Sequence, residues 1–149
     1  IVVIMTFIQI LLGALVAGID AGRNYVDWPL MAGGFIPPEP FSLTPAWRNF
    51  FENDGLVQFM HRIWAYLLFA KGIYVWMQAR KSPNTNTRYA FNVVIGVMVV
   101  QMVLGIVTVM NSAPWNLAIA HQFLAVILWL AILRGRFVAG FPVAQSVRG

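Results

Sequence analysis

Four stretches of the chain stay apolar for close to a membrane's thickness: roughly residues 1–19, 56–79, 89–110 and 115–133. Crossing about 30 Å of hydrocarbon takes about 20 residues of helix, so each stretch is predicted to be a membrane-spanning helix. The polar positions between them mark the ends. Asp54-Gly55 is predicted to break the chain before the second span, and Ser82-Pro83-Asn84 to separate the second from the third. Asn111-Ser112-Ala113-Pro114 separates the third from the fourth, with Pro114 suited to a first helical turn. Residues 20–54 interrupt this rhythm. They hold five of the eight prolines (Pro29, Pro37, Pro38, Pro40 and Pro45), and a connection this long is either functional or disordered. Trp28, Phe35, Phe41, Trp47, Phe50 and Phe51 argue for order. The expected fold is all-α: an integral-membrane, up-down four-helix bundle with a long outward-facing cap loop over 20–54. No low-complexity tract or short-period repeat stands out.

Composition narrows the class. The chain is 60% hydrophobic and 10% charged, too little charge to cover a soluble domain of this length. The net charge of +5 does not point to nucleic acid, because the basic residues sit at the ends of apolar runs, where they act as topology signals. Without a cysteine there is no disulfide, zinc-thiolate site, iron–sulfur cluster or covalently attached c-type heme. The opening IVVIMTFIQILLGALVAG lacks the charged start and small-residue cleavage site of a signal peptide. It reads as a membrane helix entered partway, so the chain is expected to be one part of something longer. Arg80, Lys81 and Arg88 lie between the second and third spans, and Arg134, Arg136 and Arg148 in the tail, with no acid in either place. All five acids (Asp20, Asp27, Glu39, Glu52 and Asp54) fall in the long loop, beside only Arg23 and Arg48. The positive-inside rule then puts the basic loop and tail in the cytoplasm or matrix and the cap outside.

The two histidines, His61 and His121, both lie in spans. At about 1.5 Å per residue each sits roughly 10 Å below the outer surface. The second and fourth helices of an up-down bundle face each other diagonally, so two imidazoles at one depth can grip a flat disc between them. Ala65, Leu68 and Gly72 share a face with His61, as Ala118 and Ala125 do with His121. Small residues there leave room for a macrocycle. Gly13, Gly18, Gly96 and Gly105 could add to that room, although glycine in membrane helices first of all permits close packing. No acid lies inside any span, which disfavours a proton relay, and a zinc or copper site wants three or four ligands. A single membrane histidine can simply hydrogen-bond a neighbouring helix, but two at matched depth on alternate helices favour bis-histidine heme ligation through His61 and His121. Arg62 either snorkels to the surface or joins Arg23 and Arg48 in pairing with heme propionates. Lys71 is expected to snorkel inward. The other Asn, Gln and Trp residues carry no separable signal.

Four separated motifs then become informative together. GALVAGIDAGRNYVDWPLM, GGFIPP, NFFENDGLVQFMHR and the His-Gln of AIAHQ resemble, in order and spacing, the heme A synthase family. The likeness is to the C-terminal half of its cysteine-free alpha-proteobacterial and mitochondrial type. The resemblance implies two pseudo-symmetric four-helix bundles, one taking heme O as substrate and the other, matching this chain over 1–149, a permanent heme b. It implies an oxidoreductase that converts a methyl group of heme O to a formyl, giving heme A for terminal oxidases. It puts His61 and His121 at the heme b ligand positions. It also implies an electron donor, a setting in membrane lipid, and a heme O synthase or a second copy of the chain as candidate protein partners. The location implied is the bacterial inner membrane, or the mitochondrial inner membrane as the alternative. In the family's substrate-side bundle a glutamate lies three residues before the first histidine; here that position is Gln58, which cannot exchange a proton at working pH. Two departures stand out: this chain has one bundle only, and it lacks the outward-loop cysteine pair of some relatives. A stand-alone b-type cytochrome passing electrons is the competing class, separated from the first by the NFFEN and DWPLM motifs. A non-heme subunit or transporter is a third, which a visible spectrum excludes.

Overall fold

The structure, a computed structural model, describes residues 1–142; Arg148 of the tail lies outside them. Helices are the only regular secondary structure among the described residues, beside one isolated antiparallel bridge between Met31 and Gly34; residues 24–45 are turns and irregular loop. In chain order they form α1 (Val2–Gly18), a short α2 (Asn49–Glu52), α3 (Asp54–Ala79), α4 (Thr85–Met110) and α5 (Trp115–Gly140), with single 3₁₀ turns at Ala21–Arg23 and Ala46–Arg48.

Polar side chains at the helix starts set their boundaries. Asn53 caps α3, its side chain accepting from the Leu56 amide at 2.9 Å, and Asn84 caps α4 by accepting from the Thr87 amide at 3.1 Å. Each satisfies an amide that the helix itself leaves unpaired. Asp54-Gly55 therefore does not break the chain; both residues belong to the first turn of α3, where a carboxylate also complements the helix dipole. Gly55 is needed for closeness instead. A Cβ there would stand 2.9 Å from Pro37 Cβ and 3.2 Å from the Tyr25 hydroxyl. Pro114 is the residue before α5 rather than its first turn. Arg88 lies inside α4, reaching back to the Ser82 and Pro83 carbonyls, and Arg134 and Arg136 are helical because α5 runs on to Gly140.

Each long helix packs on two others: α1 on α3, α3 on α4, α4 on α5 and α5 back on α1. Leu68, Val94, Met98, Leu128 and Ile132 form the buried core, with Val2, Val3, Met5 and Phe69 packed against it. This core lies below the histidines. Leu68 and Leu128 each come two turns after a histidine on the same helix. Of the four expected spans, two among the described residues, α4 and α5, are long and apolar enough to cross a membrane; α1 is apolar but shorter, and α3, although 26 residues long, is not apolar enough to join them. Val100, Val103, Phe123, Leu130 and Phe137 on α4 and α5 are more than half exposed. Such an unbroken apolar exterior is costly in water and fits a membrane protein.

Candidate functional site

His61 lies seven residues into α3 and His121 six residues into α5, so both sit about 10 Å along helices that start at the same end. Both histidines are half-buried. Each is seated on a glycine of the neighbouring helix. A Cβ on Gly13 of α1 would stand 3.1 Å from His61 Cε1, and one on Gly105 of α4 only 2.7 Å from His121 Cε1. These glycines make room for the imidazoles, whereas Gly18 and Gly96 have nothing within 4 Å of that position.

A glutamine one turn from each glycine reaches the same histidine. Gln9 Nε2 lies 3.0 Å from His61 Nδ1 and 3.2 Å from Nε2, and donates to the His61 carbonyl at 3.2 Å. Gln101 Nε2 lies 3.4 Å from His121 Nε2 and donates to the His121 carbonyl at 3.0 Å. Sequence reasoning passed over both glutamines. The signal that finds them is Gln-x-x-Leu-Gly, which occurs as QILLG at Gln9 and QMVLG at Gln101. It escapes a search for fixed-period repeats because the connection after α1 runs to Asn53, while that after α4 is a tight turn.

Arg62 neither snorkels nor stands free. It is 9% exposed, donating from Nη1 to the Asp27 and Leu30 carbonyls and from Nη2 to the Tyr25 carbonyl and Gln58 Oε1, all at 2.8–3.0 Å. Gln58 in turn donates to the Ala21 carbonyl at 2.9 Å. The polar stripe of α3 thus ties down residues 21–30. The adjoining turn is held by Asp27, whose carboxylate accepts from the Ala32 and Gly33 amides; those two bonds hold its pKa below the ordinary carboxylate value. Farther along, Asn49 is fully buried and bonds Leu43 through both its amide and carbonyl, and Asn53 reaches Glu39 and Ser42. The asparagines of NFFEN are staples for an ordered loop.

Arg23 follows α1 and pairs with Asp20 at 3.2 Å on exposed surface. Arg48 pairs with Glu52 at 2.5 Å, holding that carboxyl below its ordinary pKa while its own is raised. Lys71 does not simply extend away: its ammonium lies 4.7 Å from the Tyr74 ring centroid.

A heme's demands can be set against these residues. Two imidazoles at matching positions on α3 and α5, helices that do not neighbour each other in the ring of helix contacts, would supply two nitrogen ligands to its iron. Gln9 Oε1, Gln101 Oε1 and His121 Nδ1 are buried without a hydrogen-bond partner. Buried polar atoms are normally paired, so these orphans mark polar capacity awaiting use. The residues fit the group.

The description "cytochrome oxidase assembly protein" belongs to the family, COX15-CtaA, that matches residues 1–133. The chain is 60% identical over 145 residues to a heme A synthase of Ruegeria pomeroyi, covering 97% of this chain and 38% of that protein. It is 61% identical over 142 residues to a heme A synthase of Dinoroseobacter shibae, covering 95% and 37%. The heme A synthase of Paracoccus denitrificans is 51% identical over 145 residues, covering 97% and 38%. The chain thus spans well under half the length of these curated relatives. No solved structure matches it.

Proposed function

Since this chain belongs to the cytochrome oxidase assembly protein family COX15-CtaA, we propose that it forms the C-terminal, heme b-holding four-helix bundle of a heme A synthase. The complete enzyme oxidises a methyl group of heme O to a formyl, drawing on an electron donor. The observation that carries this reading is the matched pair of histidines, each at the same depth and seated on a glycine of the adjacent helix. His61 and His121 each offer one ring nitrogen to the iron. A bound heme supplies one-electron redox chemistry. The four long helices make the bundle, the ordered loop caps its outer end, and the setting is an inner cell membrane, as the bacterial relatives suggest.

This chain's own part is to hold and insulate. Gln58 stands where the substrate-side bundle is expected to have a glutamate, and both ends of its amide are committed, to Ala21 and Arg62. It is 2% exposed and has no proton to exchange, so no general base serves methyl chemistry here. Of the three arginines, Arg62 supports a propionate indirectly, by ordering the loop above it. Arg23 and Arg48 lie at the outer end and can exchange Asp20 and Glu52 for propionate carboxylates.

The test is the visible spectrum of the purified protein with His61→Ala or His121→Ala. Each variant should lose heme or turn it from six-coordinate low-spin to five-coordinate. An unchanged low-spin spectrum in both means that other side chains hold the iron.

A further inference from the structure

The two glutamines and two histidines form the same arrangement twice. On α1, Gln9 and Gly13 are one turn apart and face His61 of α3; on α4, Gln101 and Gly105 are one turn apart and face His121 of α5. Burial follows the duplication. From each histidine onward, the alanine four residues later is half-buried (Ala65, Ala125) and the leucine seven later is buried (Leu68, Leu128). Each glutamine also donates to its histidine's backbone carbonyl, which keeps the side chain beside the ring in this amide orientation.

We propose that Gln9 and Gln101 are a matched pair of positioning residues, each accepting the N–H of an axial imidazole through its side-chain oxygen. This rests on the assignment of His61 and His121 as heme ligands. A ligating imidazole uses one nitrogen for the metal, and its other N–H needs an acceptor that orients the ring and strengthens its donation. The structure holds one candidate acceptor beside each ring: Gln9 Oε1 and Gln101 Oε1, both buried and both without a partner. At His121 the ring nitrogens are exchanged: Gln101 faces Nε2 at 3.4 Å, and Nδ1 is the buried nitrogen without a partner, left for the iron. With the amide as it stands, Gln9 Nε2 faces His61 Nδ1 at 3.0 Å and Nε2 at 3.2 Å; a half-turn of the amide, giving up its donation to the His61 carbonyl, would bring the oxygen there to meet a ring N–H. Glutamine suits this position because a carboxylate at this depth costs several times more to bury.

The alternative is a clamp: each amide merely joins neighbouring helices through the histidine carbonyl. Redox titration of the full-length, heme-loaded protein separates the two. Gln9→Leu or Gln101→Leu removes the acceptor, weakens donation to iron, raises the midpoint potential and speeds heme loss by about tenfold or more. Gln9→Glu or Gln101→Glu, read at pH 9, supplies a stronger acceptor and lowers the potential. Opposite shifts for the two substitutions support the proposal. Unchanged potentials, or shifts of one sign for both, overturn it and leave the clamp. The near-isosteric Glu variants decide alone if the Leu variants do not fold: an unmoved potential in them is also fatal. Failure of the ligand assignment shows separately, as a low-spin spectrum that survives both His→Ala changes.

Discussion

Arg62 is the most expensive side chain within the second apolar stretch, and its four acceptors explain why it is there. Three backbone carbonyls of the loop and the Gln58 amide take its terminal N–H groups. A lysine has a point charge and too few fixed directions to replace a planar fork. Arg62→Met should destabilise the protein by about 3 kcal/mol, since it leaves buried carbonyls unpaired. Thermal unfolding in detergent measures this, and limited proteolysis should show the segment around Tyr25–Leu30 cut early. Asp27 gives a pH dependence of definite sign. Its folded pKa is depressed, by the Gly33 and then the Ala32 amide, so its contribution to the turn is complete above the ordinary aspartate value. It is lost as pH falls through the depressed value. Protection of the Ala32 and Gly33 amides against hydrogen exchange should therefore stay level through mildly acidic pH and fall only below the ordinary aspartate range. In Asp27→Asn that acid transition should be absent.

At the scale of the element, the glycines divide into two kinds with opposite expected responses. Gly105 lies where α4 passes closest to the imidazole of α5, and a methyl group there meets His121 at 2.7 Å. Gly105→Ala should cost about 1–3 kcal/mol through overpacking and displace the ring, with heme content falling in proportion. Gly13→Ala, at 3.1 Å, should do the same more mildly. Gly96 of the same α4 has nothing near. Gly96→Ala should leave the spectrum unchanged and gain up to about 1 kcal/mol from helix propensity. Heme content and unfolding temperature of the three variants check this order. The helix starts behave as local chemistry dictates: Asn53 and Asn84 cap, and Asp54-Gly55, which looks like a breaker in the sequence, is drawn into the first turn of α3.

For the whole molecule, the asymmetry of charge and the placement of the histidines bear on one another. Acids collect in the loop between α1 and α3, and bases between α3 and α4 and at the far end of α5. If the basic ends face inward, both histidines lie in the outer half, on the side of the loop. Because the chain has no cysteine, single cysteines report topology cleanly. One at Ser42, exposed in the loop, should react with an impermeant thiol reagent added outside intact cells, and one at Lys81 should not. The reverse labelling would put the histidines in the inner leaflet and remove Arg23 and Arg48 from any propionate. The division of work between bundles is testable as well. Supplied with heme O and a reductant, this chain without a second bundle should bind heme and yield no heme A. Formation of the formyl product would place methyl chemistry in this bundle despite Gln58.

Patterns that depend on neighbours in the chain are legible in the sequence. Helical content follows from the long apolar runs, the order of the loop from its aromatic residues, and the matching positions of His61 and His121, seven and six residues into their helices, from counting along the chain. What a side chain touches on another helix was not legible. That the amides of Gln9 and Gln101 meet histidines, that Gly13 and Gly105 are seats for rings, and that Arg62 serves the loop all depend on helix rotation and approach. Those are set by packing at Leu68, Val94, Met98, Leu128 and Ile132. An apolar helix surrounded by apolar groups has no polar face to announce its rotation, so composition and periodicity leave it open. Interlocking side chains decide it.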